Sequence, residues 1–281
     1  MFVVIGATGC VGRAAVDALH TAGAAVTAVT RNPGAAQLPA GVRVIKGDPG
    51  TAALPEATWD DVEGVLLASR GAIATAPALL AAAAARGARR VVVISALTVR
   101  FPAGEPRFAD GFRALEHAAA NSGMAWTALR CADFAANTLA WAAQLRGGDV
   151  VRGAYGTAAT SPIHERDIAE IAALALTEDT HDDARYLLTG PQSLNQHDKA
   201  RILGAALGRD LSFTEVAPEQ VRAAMLAQGL PAEIPARLLG SLADYAREPA
   251  PTTDLVATLL GRPARDFATW ANDNISAFDN H

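Results

Sequence analysis

Residues 1–26 read MFVVIGATGCVGRAAVDALHTAGAAV, and the order of elements in this stretch decides the fold. Met1 to Ile5 is an apolar run long enough for a buried strand. It stops at Gly6-Ala7-Thr8-Gly9-Cys10-Val11-Gly12, and a helical pattern follows, with Ala15, Leu19 and Ala22 along one face. A G-x-x-G-x-x-G string carries meaning where it lies between a strand and a helix. Gly6 then permits the tight turn and Gly9 lets the backbone close on a pyrophosphate. Gly12 lets the new helix pack tightly on the first strand. The unpaired N–H groups and positive end of that helix face the phosphates. A loop that merely needs glycines leaves their spacing unexplained.

Composition narrows the class. The chain has 281 residues, 51% of them hydrophobic and 19% charged, which suits a large core and opposes disorder. A net charge of −5, with no Lys/Arg block, argues against a nucleic-acid surface. No charged segment precedes an apolar one at the start, so Met1 is read as the beginning of the fold rather than of a signal peptide. The longest apolar window, Ile73 to Ala85, falls short of the roughly 20 residues a membrane span needs. Cys10 and Cys131 make neither a disulfide framework nor a metal site, and the six histidines never reach metal-ligand spacing. A soluble, cytoplasmic protein without a metal is expected. There is no G-x-S-x-G elbow, so a nucleophilic hydrolase is not.

Further strands are expected at Val26 to Thr30, Val42 to Ile45, Gly64 to Ala68, Val91 to Ile94 and Ala125 to Leu129. Helices are expected at Ala74 to Arg86 and Phe112 to Asn121. This alternation predicts an α/β protein: a Rossmann-like, doubly wound parallel sheet with right-handed crossovers and the first strand central. After Phe134 the alternation breaks down. A helix at Asp167 to Thr177, capped by Asp167, a short strand at Tyr186 to Leu188 and a helix at Asn195 to Leu207 follow. Leu211 to Val216 alternates like a half-buried strand, and the rest is helical. The chain is therefore divided into a cofactor-binding domain over 1–150 and a smaller, mostly helical substrate region over 151–281. Their boundaries interleave, and the second is expected to pack on the sheet's C-terminal edge.

Three strand ends carry candidate chemistry. Where NAD-selective sequences place an acid at the end of the second strand, this chain has Thr30-Arg31, and a guanidinium suits a 2′-phosphate. A solvated arginine is the plainer alternative. Asp48 ends the third strand and suits either an adenine amino group or the cap of a short helix. Ser95 ends the fifth, where it could meet a substrate oxygen, the nicotinamide side of a cofactor, or only its own turn.

With VIGATGCVG, VTRNP, LEHAAANSGMAWTALRCADFAAN, SPIHERDIAEIAA, YLLTGPQSL and LLGRPARDFATWA in place, the chain resembles the NmrA-like family of atypical short-chain dehydrogenases/reductases over nearly its whole length. The family's usual LRP reads Leu129-Arg130-Cys131 here. The resemblance implies an NADP(H) site and a substrate cleft between the two parts. By position, Gly6, Thr8, Gly9, Cys10 and Val11 would carry the phosphates and Arg31 the 2′-phosphate. Asp48 and Ala68-Ser69 would edge the adenosine, Ser95 would lie beside the nicotinamide, and Phe134 and Asn137 would face the cleft.

The acid–base machinery departs from the larger group. Ordinary short-chain dehydrogenases pair a tyrosine with a lysine four residues on, but none of Tyr155, Tyr186 and Tyr245 has that neighbour. The start of the helix after the fifth strand offers Asp110, Phe112 and Arg113 instead, and a permanently charged arginine is a poor acid. Ser95, Arg113 and His164 are the remaining catalytic candidates, His164 having a structural helix-entry role as its alternative.

Two functions fit. One is an NADPH-dependent reductase of a hydrophobic carbonyl, quinone or other conjugated small molecule, bound by Leu97, Val99, Phe101, Phe108, Phe134 and Leu139. The other is a non-catalytic, NADP(H)-sensing regulatory protein of the kind the NmrA-like family includes. Neither calls for nucleic acid or membrane, and a homodimer is compatible with both.

Overall fold

Seven strands pair into one wholly parallel sheet. They are β1 (Phe2–Ile5), β2 (Val26–Thr30), β3 (Arg43–Lys46), β4 (Gly64–Leu67), β5 (Arg90–Ala96), β6 (Ala125–Cys131) and, much later, β8 (Ala184–Leu188). The computed structural model describes residues 1–52 and 54–278. Strand order is β3-β2-β1-β4-β5-β6-β8. β1 pairs Phe2 with Val26 on one side and with Gly64 on the other, so the winding reverses at β1. That reversal is the place where open α/β sheets bind ligands, beyond the carboxyl ends of their strands.

The strands follow the composition rule for parallel sheets. β2 and β4 are buried along their whole length, which unbroken apolar runs such as Gly64-Val65-Leu66-Leu67 permit. β3 is an edge and is mostly exposed, guarded by Arg43 and Lys46. Helices α1 (Cys10–Thr21), α2 (Ala76–Ala85), α3 (Pro106–Ala120) and, later in the chain, α5 (Glu165–Thr177) accompany the sheet, and α5 packs on α1.

The chain clusters into two compact units. The sheet unit holds Met1–Val99, Asp110–Cys131 and Glu165–Leu188. The second unit holds Arg100–Ala109, Ala132–His164 and the chain from Thr189. It contains α4 (Ala142–Leu145), α6 (Gln196–Leu207), α7 (Pro218–Ala227), α8 (Glu233–Arg247), α9 (Leu255–Leu260) and α10 (Phe267–Asp273). A small parallel pair joins β7 (Val150–Gly153) to β9 (Ser212–Glu215). Leu145, Val151, Leu203, Phe213 and Phe267 form its core with Trp270, which stacks on Phe267 at 5.4 Å. Local signals set α6 at both ends. Asn195 closes a capping box with Asp198, and Gly208 ends the helix in the left-handed conformation.

Three expectations need correction, and one strand was covered by none of them. Tyr186 to Leu188 does not cover the sheet's end but joins the sheet as β8, pairing parallel to β6. Helix α3 begins at Pro106, so Phe112 and Arg113 lie inside it. Proline needs no N–H partner at a helix's first position, which is why a proline-rich approach can already be helix. Helix α5 begins at Glu165, so Asp167 is its third residue, fully buried, and not its cap. Val150–Gly153 is a strand, which its glycine-rich flanks concealed.

Candidate cofactor site

The glycine turn follows β1 directly. Gly6 has φ +89°, open to glycine, and its carbonyl accepts a hydrogen bond from the Gly9 N–H at 3.0 Å. The three glycines answer three different demands. A Cβ on Gly12 would lie 2.1 Å from the Gly6 oxygen and 2.8 Å from its carbonyl carbon. The third glycine therefore lets α1 start against the turn itself, not against the strand. A Cβ on Gly6 would press the end of β4, 3.0 Å from the Ala68 carbonyl and from Ser69 Cβ. Among the described residues a Cβ on Gly9 would meet only the Gly6 oxygen, at 3.4 Å, so their packing does not demand glycine there.

Helix α1 opens with Gly9 at its cap, no side-chain capping bond and no acid in its first turn. Among the described residues its first N–H groups therefore have no side-chain partner, and such a helix start is an anion's natural seat. Thr8 and Cys10 are exposed beside them, and Val11 is buried beneath. Burial around its sulfur and the Glu165 carboxylate push the Cys10 thiol above its ordinary value, although the residue as a whole is exposed. Neutral sulfur at this position adds no negative charge to the turn.

The second half of the site lies at the ends of β2 and β3. Thr8 and Thr30 share a hydroxyl hydrogen bond of 3.1 Å, tying the turn to β2. Register places Thr30 opposite Lys46, which brings Lys46 beside Arg31. An open groove of about 680 Å³ is lined by Arg31, Lys46, Gly47, Asp48, Leu54 and Pro55. The Arg31 and Lys46 side chains are exposed and make no ion pair among the described residues. Asp48 Oδ1 accepts from the Gly50 N–H at 2.9 Å and so caps a short 3₁₀ turn. Arg13, from the first turn of α1, donates to the carbonyls of Ala36 and Gln37, each at 2.8 Å, and pins the segment after Arg31. Sequence reasoning missed Lys46 and Arg13.

The other candidate residues are placed elsewhere. Ser95 is 3% exposed and donates its hydroxyl to Glu116 Oε1 at 2.6 Å. Glu116 also receives Arg130, through Nε at 2.9 Å and Nη2 at 2.7 Å, and Arg185 at 3.6 Å. Burial alone would raise the Glu116 carboxyl. The Arg130 and Ser95 hydrogen bonds, with the charges of Arg130 and Arg185, outweigh it and hold the group below its ordinary value. The Ser95 proton is thus spent on a structural carboxylate. Arg113 pairs with Asp110 on the surface of α3. His164 is buried, with Nε2 at 3.4 Å from Asp273 Oδ2. Leu97 is buried in a 3₁₀ turn after β5. In the second unit, Phe134 bridges Ile163 through its backbone, and Asn137 is exposed. Among the described residues no helix is long and apolar enough to cross a membrane.

A parallel sheet reversing at β1, a helix opening without a cap, and a glycine turn there define a Rossmann-type dinucleotide-binding protein. Comparison with known proteins agrees. A family model described as NAD(P)H-binding matches residues 6–179. A (4-alkanoyl-5-oxo-2,5-dihydrofuran-3-yl)methyl phosphate reductase of Streptomyces griseus is 33% identical, the match covering 99% of each chain. An NAD(P)H azoreductase of Xenophilus azovorans is 31% identical over 99% of each. The crystal structure of an NADPH-dependent quinone oxidoreductase from Escherichia coli superposes with a TM-score of 0.81 at 26% identity, over 97% of this chain and 99% of that one. The chain belongs to the NAD(P)H-binding family and, with these relatives, to the NAD(P)H-dependent oxidoreductases.

Proposed function

We propose that the protein is an NADPH-dependent reductase of the NmrA-like branch, acting in the cytoplasm on a hydrophobic, conjugated small molecule such as a quinone, an azo compound or an unsaturated carbonyl. The observation that carries the cofactor half is the groove holding Arg31 and Lys46 with no carboxylate at the end of β2. We assign the cofactor to the sheet unit and substrate recognition to the second unit.

In this reading the N–H groups opening α1 hold the pyrophosphate, with Gly6, Thr8, Gly9, Cys10 and Val11 around it. Arg31 and Lys46 clamp the 2′-phosphate, Asp48 accepts from the adenine amino group, and Ala68-Ser69 edge the adenosine. When bound, NADPH supplies the hydride. The chain's own contribution is then position and charge, because each catalytic candidate is already engaged: Ser95 with Glu116, Arg113 with Asp110, His164 with Asp273. This favours an acceptor that delocalises the added charge and takes its proton from water. The activities for which the relatives are named, on azo, quinone and unsaturated-lactone compounds, are of that kind.

NADPH oxidation against a panel of naphthoquinones, azo dyes and enones tests the reading. Turnover with at least one conjugated class is expected. NADPH binding without turnover on any of them would overturn the reductase and leave the NADP(H)-sensing regulator.

A further inference from the structure

The two cations of the groove are not held alike. Lys46 belongs to β3 and is fixed by that strand's pairing with β2. Arg31 lies just beyond the end of β2, at the head of a segment, residues 31–37, in which Ala36 alone is buried. A charge on so exposed a segment needs something else to aim it.

The segment is fastened at both ends, and both fastenings lead back to the glycine turn and α1. At its start the Asn32 N–H donates to Thr30 Oγ1 at 3.3 Å, and Thr30 shares its hydroxyl bond with Thr8 of the turn. At its end Arg13 Nη1 donates to the Ala36 and Gln37 carbonyls, one of its two N–H groups for each. Gln37 has φ +46°, a left-handed backbone that a residue with a side chain keeps only where its surroundings hold it. The Arg13 bond to its carbonyl is such a hold. Between the fastenings the chain is stiff. Asn32 precedes a proline, which narrows its backbone to extended conformations, and the Pro33 ring fixes the next φ. Pro33–Ala35 then forms a 3₁₀ turn, closed by the Ala36 N–H on the Pro33 carbonyl at 3.1 Å. A clamp on Ala36 and Gln37 therefore acts back on the backbone at Arg31.

We propose that Arg13 is a positioning residue for cofactor choice. It sets the preference for a 2′-phosphate without touching that phosphate, by holding the segment that carries Arg31. The inference rests on the assignment of the Arg31–Lys46 groove to the 2′-phosphate, and it adds to that assignment a residue outside the groove. Without the clamp, the affinity for NADPH falls by the fraction of time the freed segment keeps its competent form. A segment competent about one-fifth of the time weakens NADPH about fivefold. NADH has no 2′-phosphate and is indifferent to the segment, while Lys46, on β3, keeps its own contribution.

Calorimetric titration of the full chain with NADPH and with NADH tests this in wild type, Arg13→Ala, Arg31→Ala and the variant carrying both. Arg13→Ala, which suits a helix interior, should weaken NADPH about fivefold and NADH by less than about twofold. In the Arg31→Ala background the same change should cost nothing further, because the residue it positions is gone. Pro33→Gly loosens the segment without altering α1 and should repeat both results, so it decides the matter if Arg13→Ala does not fold. Equal weakening of both nucleotides by Arg13→Ala marks a merely structural residue and overturns the inference. Losses that multiply in the variant carrying both changes mark direct contact of Arg13 with the phosphate and overturn it too. A wild-type preference for NADPH that Arg13→Ala and Pro33→Gly both keep overturns this inference alone. Equal wild-type affinities for NADPH and NADH overturn the assignment of the groove, and this inference with it.

Discussion

Replacing Arg31 by alanine should weaken NADPH binding and leave NADH almost untouched. A bond to a charged group contributes roughly 1.5–3 kcal/mol when sheltered. Arg31 and Lys46 stand at the rim of an open groove, where water and salt reduce an ion pair to about 1 kcal/mol or less. A guanidinium making two such bonds to a 2′-phosphate then contributes about 1.5–2 kcal/mol, or roughly ten- to thirtyfold in affinity. Lys46, a single point charge, contributes less, about fivefold. If both cations face one phosphate, as proposed, neither substitution alone should abolish the preference, and the double variant should lose about a hundredfold. Calorimetric titration of wild type, Arg31→Ala, Lys46→Ala and the double variant with NADPH and NADH measures this directly. Raising the salt should weaken NADPH and not NADH. Equal wild-type affinities, or a double variant that still prefers NADPH, would refute the assignment of the groove.

Two further outcomes test the turn and the buried carboxylate. Gly12→Ala places its Cβ 2.1 Å from a backbone oxygen, so it should lower stability by about 1–3 kcal/mol and lose NADPH binding together; Gly9→Ala should keep its melting temperature and lose only binding, and a Gly12→Ala melting curve like wild type would contradict this. Glu116→Gln leaves Arg130 and Arg185 facing an uncharged group and should destabilise by about 3 kcal/mol in chemical denaturation. Since the folded Glu116 carboxyl is held below its ordinary 4.5, its contribution is fully present above that pH and is lost as the pH falls through the lowered value. The variant should therefore show a flatter acid limb in stability against pH, and an unchanged limb would remove Glu116 from the account.

The local parts of the fold were legible because their causes are local. An apolar run, a turn needing glycine and a helix start are set by neighbouring residues, so β1, the glycine turn and α1 could be read from the first 26 positions. Strand β2 ends at Thr30 because Asn32-Pro33 follows, and α6 is bounded by Asn195 and Gly208 for reasons of hydrogen bonding and left-handed backbone. Arg31 was visible as a candidate for the same reason: its position at a strand end depends only on the strand.

Partnerships across the sheet were decided by the tertiary structure. Lys46 stands beside Arg31 because β3 pairs with β2 in the register Thr30 to Lys46, and no property of either segment alone sets that register. The Ser95 hydroxyl looked available at a strand end, but Glu116, 21 residues later on α3, takes its proton. Strand β8 carries too short an apolar run to announce a place in the sheet, and it gains one only by pairing with β6, some fifty residues earlier in the chain. Sequence determines backbone preference residue by residue, whereas the engagement of a polar side chain depends on which distant groups the packing brings within hydrogen-bond reach.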